Sequence, residues 1–134
     1  GLALDPVGKN NFFKFTKIKK IFKNDFRQDI CDKKKLKKAM MKIKPEIVFH
    51  LAAQSSVLVG YQNPRETVET NVIGTVNMLE AIRSCNTVKS AIIVTTDKVY
   101  LNLEKNIKFF MISIMKKTNM ALGVGLKMYL KLIL

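Results

Sequence analysis

The fold is decided by Lys44-Pro-Glu-Ile-Val-Phe-His-Leu-Ala-Ala-Gln54, by the amphipathic residues 64–85, and by Ile93-Val-Thr-Thr-Asp-Lys-Val-Tyr100. The first stretch is a short apolar run between a proline and two small alanines. This pattern predicts a strand buried on both faces over residues 47–51. A second apolar run predicts another buried strand over Ser90–Val94. A long helix between two such strands is typical of a right-handed βαβ unit in a parallel sheet.

The segment over residues 64–85 has the pattern of one long helix. Pro64 suits the first helical turn, where its missing N–H is not needed. An apolar stripe recurs every three or four positions and comprises Val68, Val72, Thr75, Leu79 and Ile82. Gly74 lies inside this pattern, although glycine costs ~1 kcal/mol relative to alanine in a helix. We therefore expect a close packing contact at Gly74.

The residues before Lys44 predict further pieces of the same sheet. Residues 1–4 are predicted as the end of a strand, and Pro6 stops that strand. Residues 21–27 are predicted as another strand. Asp32 is a suitable N-cap for a following helix. The apolar stripe of that helix is Leu36, Ala39, Met40 and Ile43. Residues 101–134 show no pattern that assigns a helix or a strand, and an amphipathic helix on a membrane surface is a minor alternative there.

Polar and small residues follow both central strands. Ala52, Ala53 and Gln54 follow the first strand, and Thr95, Thr96 and Asp97 follow the second. Ligands of parallel sheets bind beyond the carboxyl ends of the strands, so both groups are expected to open onto one crevice. His50 lies within a strand and is expected to be a hydrogen-bonded core histidine. Asn71 is expected to be structural.

The net charge of +14 raises the possibility of nucleic-acid binding, but the distribution of charge argues against it. Residues 1–44 carry a net charge of +10, residues 45–100 a net charge of −1, and residues 101–134 a net charge of +5. Only three of the 24 basic residues are arginine, the residue that favours specific phosphate and base contacts. We expect solvated surface charge and no specific nucleic-acid partner, with a basic interaction protein as an open alternative.

Membrane and metal partners are not expected either. No apolar run reaches the ~20 residues needed to span a bilayer. Cys31 and Cys85 lie far apart and form no metal-binding or redox motif. Free thiols and a cytoplasmic location are therefore expected.

Three motifs together resemble the extended short-chain dehydrogenase/reductases that modify nucleotide sugars: Phe49-His-Leu-Ala-Ala-Gln54, Glu69-Thr-Asn-Val-Ile-Gly-Thr75 and Val94-Thr-Thr-Asp-Lys-Val-Tyr100. Leu4-Asp-Pro6, Lys44-Pro-Glu46 and the Thr-Asp-Lys order favour the CDP-glucose 4,6-dehydratase subfamily. The resemblance covers residues 1–103. It implies an α/β fold, a partial Rossmann-like doubly wound parallel sheet lacking the first βα unit and the C-terminal substrate domain. Residues 104–134 are then a divergent or frameshifted tail.

The resemblance also implies site residues and a cofactor. NAD would serve in an internal redox cycle, in which hydride leaves C4 of the sugar, water is eliminated across C5 and C6, and hydride returns to C6. Asp29 and Ile30 match the segment that contacts the adenine. The rest of NAD is assigned to Leu51, Ala52, Ala53, Thr70 and Thr95. Gln54 and Ser55 either face the substrate or merely end the strand.

The catalytic trio implied by the resemblance is Thr96, Asp97 and Lys98. A threonine hydroxyl can hydrogen-bond the sugar 4-hydroxyl, and a protonated aspartic acid can donate to the departing C6 hydroxyl. Lys98 replaces the glutamate base of related enzymes and would need a lowered pKa to take a proton. The alternative is that Asp97 and Lys98 form an ordinary solvated strand end.

Several family features are not found in these residues. The first strand, glycine-rich phosphate loop and first helix would precede Gly1, which leaves an exposed sheet edge. A Tyr-x-x-x-Lys pair would follow Tyr100, but Tyr129 has Ile133 at that spacing. We expect a fragment or disrupted reading frame, inactive alone, of an enzyme that acts on CDP-glucose and forms homo-oligomers. Another nucleotide-sugar epimerase or dehydratase, or a non-catalytic remnant, remains an alternative.

Overall fold

A computed structural model describes residues 1–95 and the backbone of residues 112–116. The strands are β1 (Leu2–Ala3), β2 (Phe26–Arg27), β3 (Ile47–His50), β4 (Ser90–Val94) and β5 (Ile112–Lys116). The α-helices are α1 (Phe12–Phe15), α2 (Lys33–Ile43), α3 (Val57–Gln62), α4 (Pro64–Val68) and α5 (Gly74–Ser84). A 3₁₀ turn covers Ile18–Ile21, and a π turn, Glu69–Ile73, joins α4 to α5.

The described strands form two sheets. β1 pairs in parallel with β2, and β3 pairs in parallel with β4, with His50 opposite Ile93. The predicted parallel pairing of the two central strands is therefore confirmed, whereas the single helix predicted over residues 64–85 is divided into α4, the π turn and α5. β5 adds an antiparallel strand to the other edge of β4. The sequence pattern did not predict β5, which lies in the stretch to which no element was assigned.

One hydrophobic core lies between the helices α2 and α5 and one face of the sheet. Its central members are Leu36, Met40, Val48, Leu79, Ile82, Ala91 and Ile93. On the opposite face of β3, Ile47 is 56% exposed and Phe49 is 62% exposed. The prediction that this strand is buried on both faces is wrong. Successive strand side chains point to opposite faces, and α2 and α5 bury only one of them.

The helix α2 begins as the sequence predicts. The Asp32 carboxylate accepts a hydrogen bond from the Lys35 N–H over 3.0 Å and caps the first turn. Leu36, Ala39 and Met40 are buried, but Ile43 is exposed at the last helical position. The predicted stripe is therefore one residue too long.

The strand predicted over residues 21–27 is shorter in the structure. Only Phe26 and Arg27 pair with β1, through the Phe26 N–H to Gly1 O and the Gln28 N–H to Ala3 O. Because β1 is two residues long, the ladder covers only these two residues of the predicted strand, and the amino group of Gly1 donates to Asn24 O beyond it. The Arg27 guanidinium completes this corner by donating to Leu4 O and pairing with Asp25.

His50 is buried on β3, and its Nε2 lies 2.9 Å from the Thr75 hydroxyl on α5. The expectation of a hydrogen-bonded core histidine is therefore confirmed. Burial disfavours the imidazolium, which lowers the pKa of His50 below its ordinary value.

Because the unfolded chain takes up the His50 proton at a higher pH than the folded chain, stability should decrease with acidification. The free energy of unfolding should begin to fall as the pH drops below about 6.5, the ordinary histidine pKa. Urea titrations of the wild type and of His50→Gln, compared across pH values, isolate this contribution because the chain has one histidine. Equal pH dependence in the two proteins would contradict the assignment.

Cys31 and Cys85 are not joined by a disulfide, as expected. None of the helices formed by residues 1–95 has the length and apolar character needed to cross a bilayer.

Candidate functional site

The π turn between α4 and α5 is the point at which several predicted site segments meet. A π turn inserted into an α-helix widens one turn, and such turns occur frequently at functional sites. The loop after β2 and the loop after β3 both hydrogen-bond to this turn. We call this region, at the carboxyl ends of β2, β3 and β4, the edge site.

The loop after β2 comprises residues 29–31. Asp29 is exposed, and its Oδ1 accepts a hydrogen bond from the Cys31 N–H over 2.8 Å. The Ile30 side chain is buried against Gly74, where an added Cβ would lie 2.5 Å from Ile30 Cδ1. The close contact expected at Gly74 is therefore confirmed. Since its side chain faces the core, Ile30 can offer a ligand only its backbone.

Asn77 on α5 hydrogen-bonds to the backbone of the loop after β2. Its Nδ2 donates to Ile30 O and to Cys31 O, each over 3.1 Å, and the side chain is buried. Sequence reasoning missed this residue. The signal available in the sequence was the position of Asn77 beside Met78 and Leu79 in an amphipathic helix, which predicts a buried side chain. A buried amide is nearly always hydrogen-bonded, so a partner for Asn77 could have been expected.

Cys31 links the loop after β2 to the π turn. Its thiol donates to Glu69 O over 3.4 Å, and the Thr70 side chain also hydrogen-bonds it. Burial, together with the hydrogen bond and negative charge of Asp29, raises the pKa of Cys31 to about 11. Cys31 is therefore a neutral thiol at physiological pH.

We predict that Cys31 is a slow nucleophile while the chain is folded. Because the thiolate is the reactive form, alkylation at pH 8 should be slower than in the unfolded chain by on the order of a hundredfold. Peptide-resolved mass spectrometry after an iodoacetamide time course measures this rate separately from that of Cys85. Asp29→Asn removes a carboxylate that raises the pKa and should speed the reaction. Equal rates in the folded and urea-unfolded chain would contradict the prediction.

The loop after β3 is fastened by Asn71, which lies in the π turn. Asn71 Oδ1 accepts from the Gln54 N–H over 2.7 Å, and Asn71 Nδ2 donates to Gln54 O over 2.9 Å. This pair of bonds fits the structural role expected for Asn71. The Gln54 side chain donates to Thr67 Oγ1 on α4 and accepts from the Ser56 N–H in its own loop, so both ends of its amide are engaged. Ser55 is exposed.

The remaining predicted cofactor residues lie around the same edge. Leu51, Ala52 and Ala53 are exposed, and Thr70 is half-buried in the π turn. Thr95 is half-buried directly after β4, which runs parallel to β3 and ends at the same edge. The catalytic residues Thr96, Asp97 and Lys98 lie outside the described residues, and their roles stay predictions.

The edge site presents a hydrogen-bond acceptor, small side chains and hydroxyl groups. An exposed carboxylate at Asp29 can accept from an exocyclic amino group, and the small side chains of Ala52 and Ala53 allow a ligand close to the backbone. Thr70 in the π turn and Thr95 directly after β4 place two hydroxyl groups at the same edge. Within residues 1–95, no three acidic, histidine or cysteine side chains cluster in a way that could hold a metal ion.

Comparison with known proteins gives consistent matches. A family model described as GDP-mannose 4,6 dehydratase matches residues 8–109. The chain is 38% identical over 104 residues to CDP-glucose 4,6-dehydratase of Salmonella typhimurium, covering 78% of this chain and 29% of that protein. It is 36% identical over 80 residues to UDP-glucose 4-epimerase of Mycoplasma genitalium, covering 60% and 23%. The chain thus spans less than a third of these relatives.

Solved structures agree on the fold. The UDP-glucose 4-epimerase of Thermus thermophilus, in complex with NAD, matches with a TM-score of 0.50 and 31% identity, over 64% of this chain and 26% of that one. The Thermotoga maritima UDP-glucose 4-epimerase, with UDP-glucose, matches with a TM-score of 0.59 and 24% identity, over 98% and 42%. The predicted partial Rossmann-like α/β fold is therefore confirmed.

Proposed function

Because the chain belongs to the GDP-mannose 4,6-dehydratase family, we propose that it is part of a nucleotide-sugar 4,6-dehydratase and that its edge site holds the adenosine portion of NAD. One observation carries the assignment to this site. The loop after β2 and the loop after β3 both bond to the π turn, which brings the segments of Asp29, Ala52 and Thr70 to one edge.

The proposed NAD contacts follow from the exposure of each group. Asp29 accepts from the adenine amino group, and Ile30 contributes its backbone because its side chain is in the core. Leu51, Ala52 and Ala53 line the path of the dinucleotide, with the Thr70 and Thr95 hydroxyls as hydrogen-bonding groups. When bound, NAD supplies an acceptor and donor of hydride.

For the dehydration itself we propose the residues that follow Thr95. Thr96 hydrogen-bonds the sugar 4-hydroxyl, and Asp97, protonated, donates to the departing C6 hydroxyl. Lys98 acts as base or as electrostatic support, and the first role requires a lowered pKa. CDP-glucose is the proposed substrate, supported by the 38% identity to a CDP-glucose 4,6-dehydratase. Gln54 and Ser55 directly follow Ala53 and are proposed to face the substrate. Ser55 is the more exposed of the two.

We further propose that these 134 residues do not turn over substrate by themselves. They contain no Tyr-x-x-x-Lys sequence and no Gly-x-Gly-x-x-Gly sequence of the kind that holds a pyrophosphate. The active form is proposed to be a cytoplasmic homo-oligomer of the size of its relatives. Calorimetric titration of the 134-residue chain with NAD should show no saturable micromolar binding, and observing such binding would contradict this part of the proposal.

A chimera tests the catalytic proposal. Residues 8–109 replace the matching segment of the Salmonella typhimurium CDP-glucose 4,6-dehydratase, and formation of the 4-keto-6-deoxy product is measured with CDP-glucose, GDP-mannose and UDP-glucose. We expect activity with CDP-glucose and a loss of roughly 10²–10⁴-fold for Asp97→Asn. Lys34→Gln, on the exposed side of α2, is the matched surface control. A folded chimera in which Asp97→Asn retains full activity would refute the assigned role.

A second candidate is a nucleotide-sugar 4-epimerase, favoured by the 31% identity to the NAD-bound Thermus thermophilus enzyme. The same chimera discriminates the two, because an epimerase returns hydride to C4 and releases no water. Product analysis after incubation with UDP-glucose would show the C4 epimer instead of a 4-keto-6-deoxy sugar.

A further inference from the structure

Residues 7–23 form a segment in which lysines are mixed with exposed large apolar residues. We call it the Lys/Phe segment. It contains Lys9, Lys14, Lys17, Lys19, Lys20 and Lys23 and no acidic residue. Four of its apolar side chains are at least three-quarters exposed: Val7 by 91%, Phe12 by 76%, Phe15 by 85% and Ile21 by 77%. Single exposed apolar residues are normal, but this concentration is not.

Other aromatic side chains of the same segment are half-buried. Phe13 and Phe22 contact each other with ring centroids 6.3 Å apart, and the Arg27 guanidinium lies 4.2 Å over the Phe13 ring. These contacts attach the segment to the β1–β2 corner. Phe12 and Phe15 are three residues apart on one helical turn and therefore share a face. Asn11 caps that turn by accepting from the Lys14 N–H over 3.0 Å.

The positive charge and the exposed apolar side chains of the Lys/Phe segment together indicate the kind of surface it would bind. Six lysines without acidic residues favour an anionic surface, and the exposed Phe and Ile side chains favour an apolar phase next to it. The lipid headgroup boundary offers both within one layer. Residues 7–23 contain no Trp, Tyr or Arg, the residues that dominate protein interfaces, and base recognition likewise favours Arg.

We propose that the Lys/Phe segment docks on an anionic lipid surface, with Phe12, Phe15 and Ile21 entering the headgroup boundary and the lysines at phosphate level. This differs from the expectation of no membrane partner. That expectation rested on the lack of a long apolar run, which concerns spanning a bilayer and not lying on one.

Vesicle sedimentation with the full 134-residue chain tests the proposal. Vesicles of phosphatidylcholine mixed with phosphatidylglycerol should bind the chain at least ~10-fold more strongly than pure phosphatidylcholine vesicles. Phe12→Ser combined with Phe15→Ser should weaken that binding at least ~10-fold by removing the inserted apolar area. Lys19→Gln combined with Lys20→Gln should weaken it and reduce its dependence on salt.

Matched variants elsewhere on the surface serve as controls. Lys34→Gln combined with Lys38→Gln removes the same charge from α2, and Phe49→Ser removes an exposed aromatic ring from β3. Both should retain binding, with folding checked by circular dichroism. The proposal is overturned if these controls lose binding equally, if pure phosphatidylcholine binds as well, or if the chain binds heparin or an acidic protein but neither kind of vesicle.

Discussion

Replacing Asn77 with alanine should lower the free energy of unfolding by about 2–3 kcal/mol, because a buried carbonyl loses its hydrogen-bond donor. Ile30 O accepts from Asn77 Nδ2, whereas Cys31 O also accepts from the Lys33 N–H and keeps that bond. The loop after β2 should therefore loosen at Ile30. Urea denaturation gives the change in stability, and alkylation of Cys31 reports the loop directly and should become faster.

Two further variants sharpen this prediction. Asn77→Asp keeps the shape but places a carboxylate against two carbonyl oxygens, which should destabilise by ~3–5 kcal/mol at neutral pH. Because the protonated acid can donate one hydrogen bond, part of this loss should be recovered as the pH falls. Asn10→Ala, at an exposed position, is the matched control and should change stability by less than ~0.5 kcal/mol. If Asn77→Ala is as stable as Asn10→Ala, Asn77 does not hold the loop.

Gly74→Ala should destabilise the chain by about 1–3 kcal/mol, although alanine is the better helix former by about 1 kcal/mol. The added Cβ would lie 2.5 Å from Ile30 Cδ1 and 2.6 Å from Ile30 Cγ1, so the Ile30 side chain must move within a packed core. Movement of Ile30 also displaces the backbone beside Asp29. Thermal and urea unfolding measure the loss.

A double-mutant cycle identifies the cause. Ile30→Ala alone should destabilise by ~2–5 kcal/mol through the cavity it leaves. With Gly74→Ala present, the clashing atoms are gone and only Ile30 Cβ remains, at 3.6 Å, an ordinary contact. The double variant should therefore lose less than the sum of the two single variants. Gly60→Ala is the matched control, since its nearest neighbour would be Thr67 Oγ1 at 3.6 Å, and it should not destabilise. Additive effects at positions 74 and 30 would exclude the steric explanation.

Local features of the fold could be predicted from the sequence because they depend on neighbouring residues. Asp32 caps α2 through an N–H three residues away, and Pro64 begins a helix because its fixed φ suits the first turn. The apolar runs at β3 and β4 are short and separated by a long helix, which favours parallel pairing. The close contact at Gly74 was predictable because glycine is unfavourable inside a helix unless a neighbour requires it.

Burial and the composition of the edge site could not be predicted in the same way. The exposure of Phe49 depends on which face of the sheet the helices cover. A continuous apolar run has the same sequence pattern whether one face or both faces are covered. The π turn at Glu69–Ile73 leaves no signal in the spacing of the apolar residues along the sequence. The identity of the segment that would approach Gly74 was equally open.

The sequence by itself determined the α/β class, the parallel strands and the positions where those strands end, since periodicity and turn chemistry are read from adjacent residues. Only the tertiary structure decided that residues 29–31 meet the π turn, that Asn77 holds Ile30 O, and that Asn71 fastens Gln54. These contacts join residues 17 to 47 positions apart in the chain. They exist because packing α2 and α5 on one sheet face brings those loops together, and no local pattern encodes that distance.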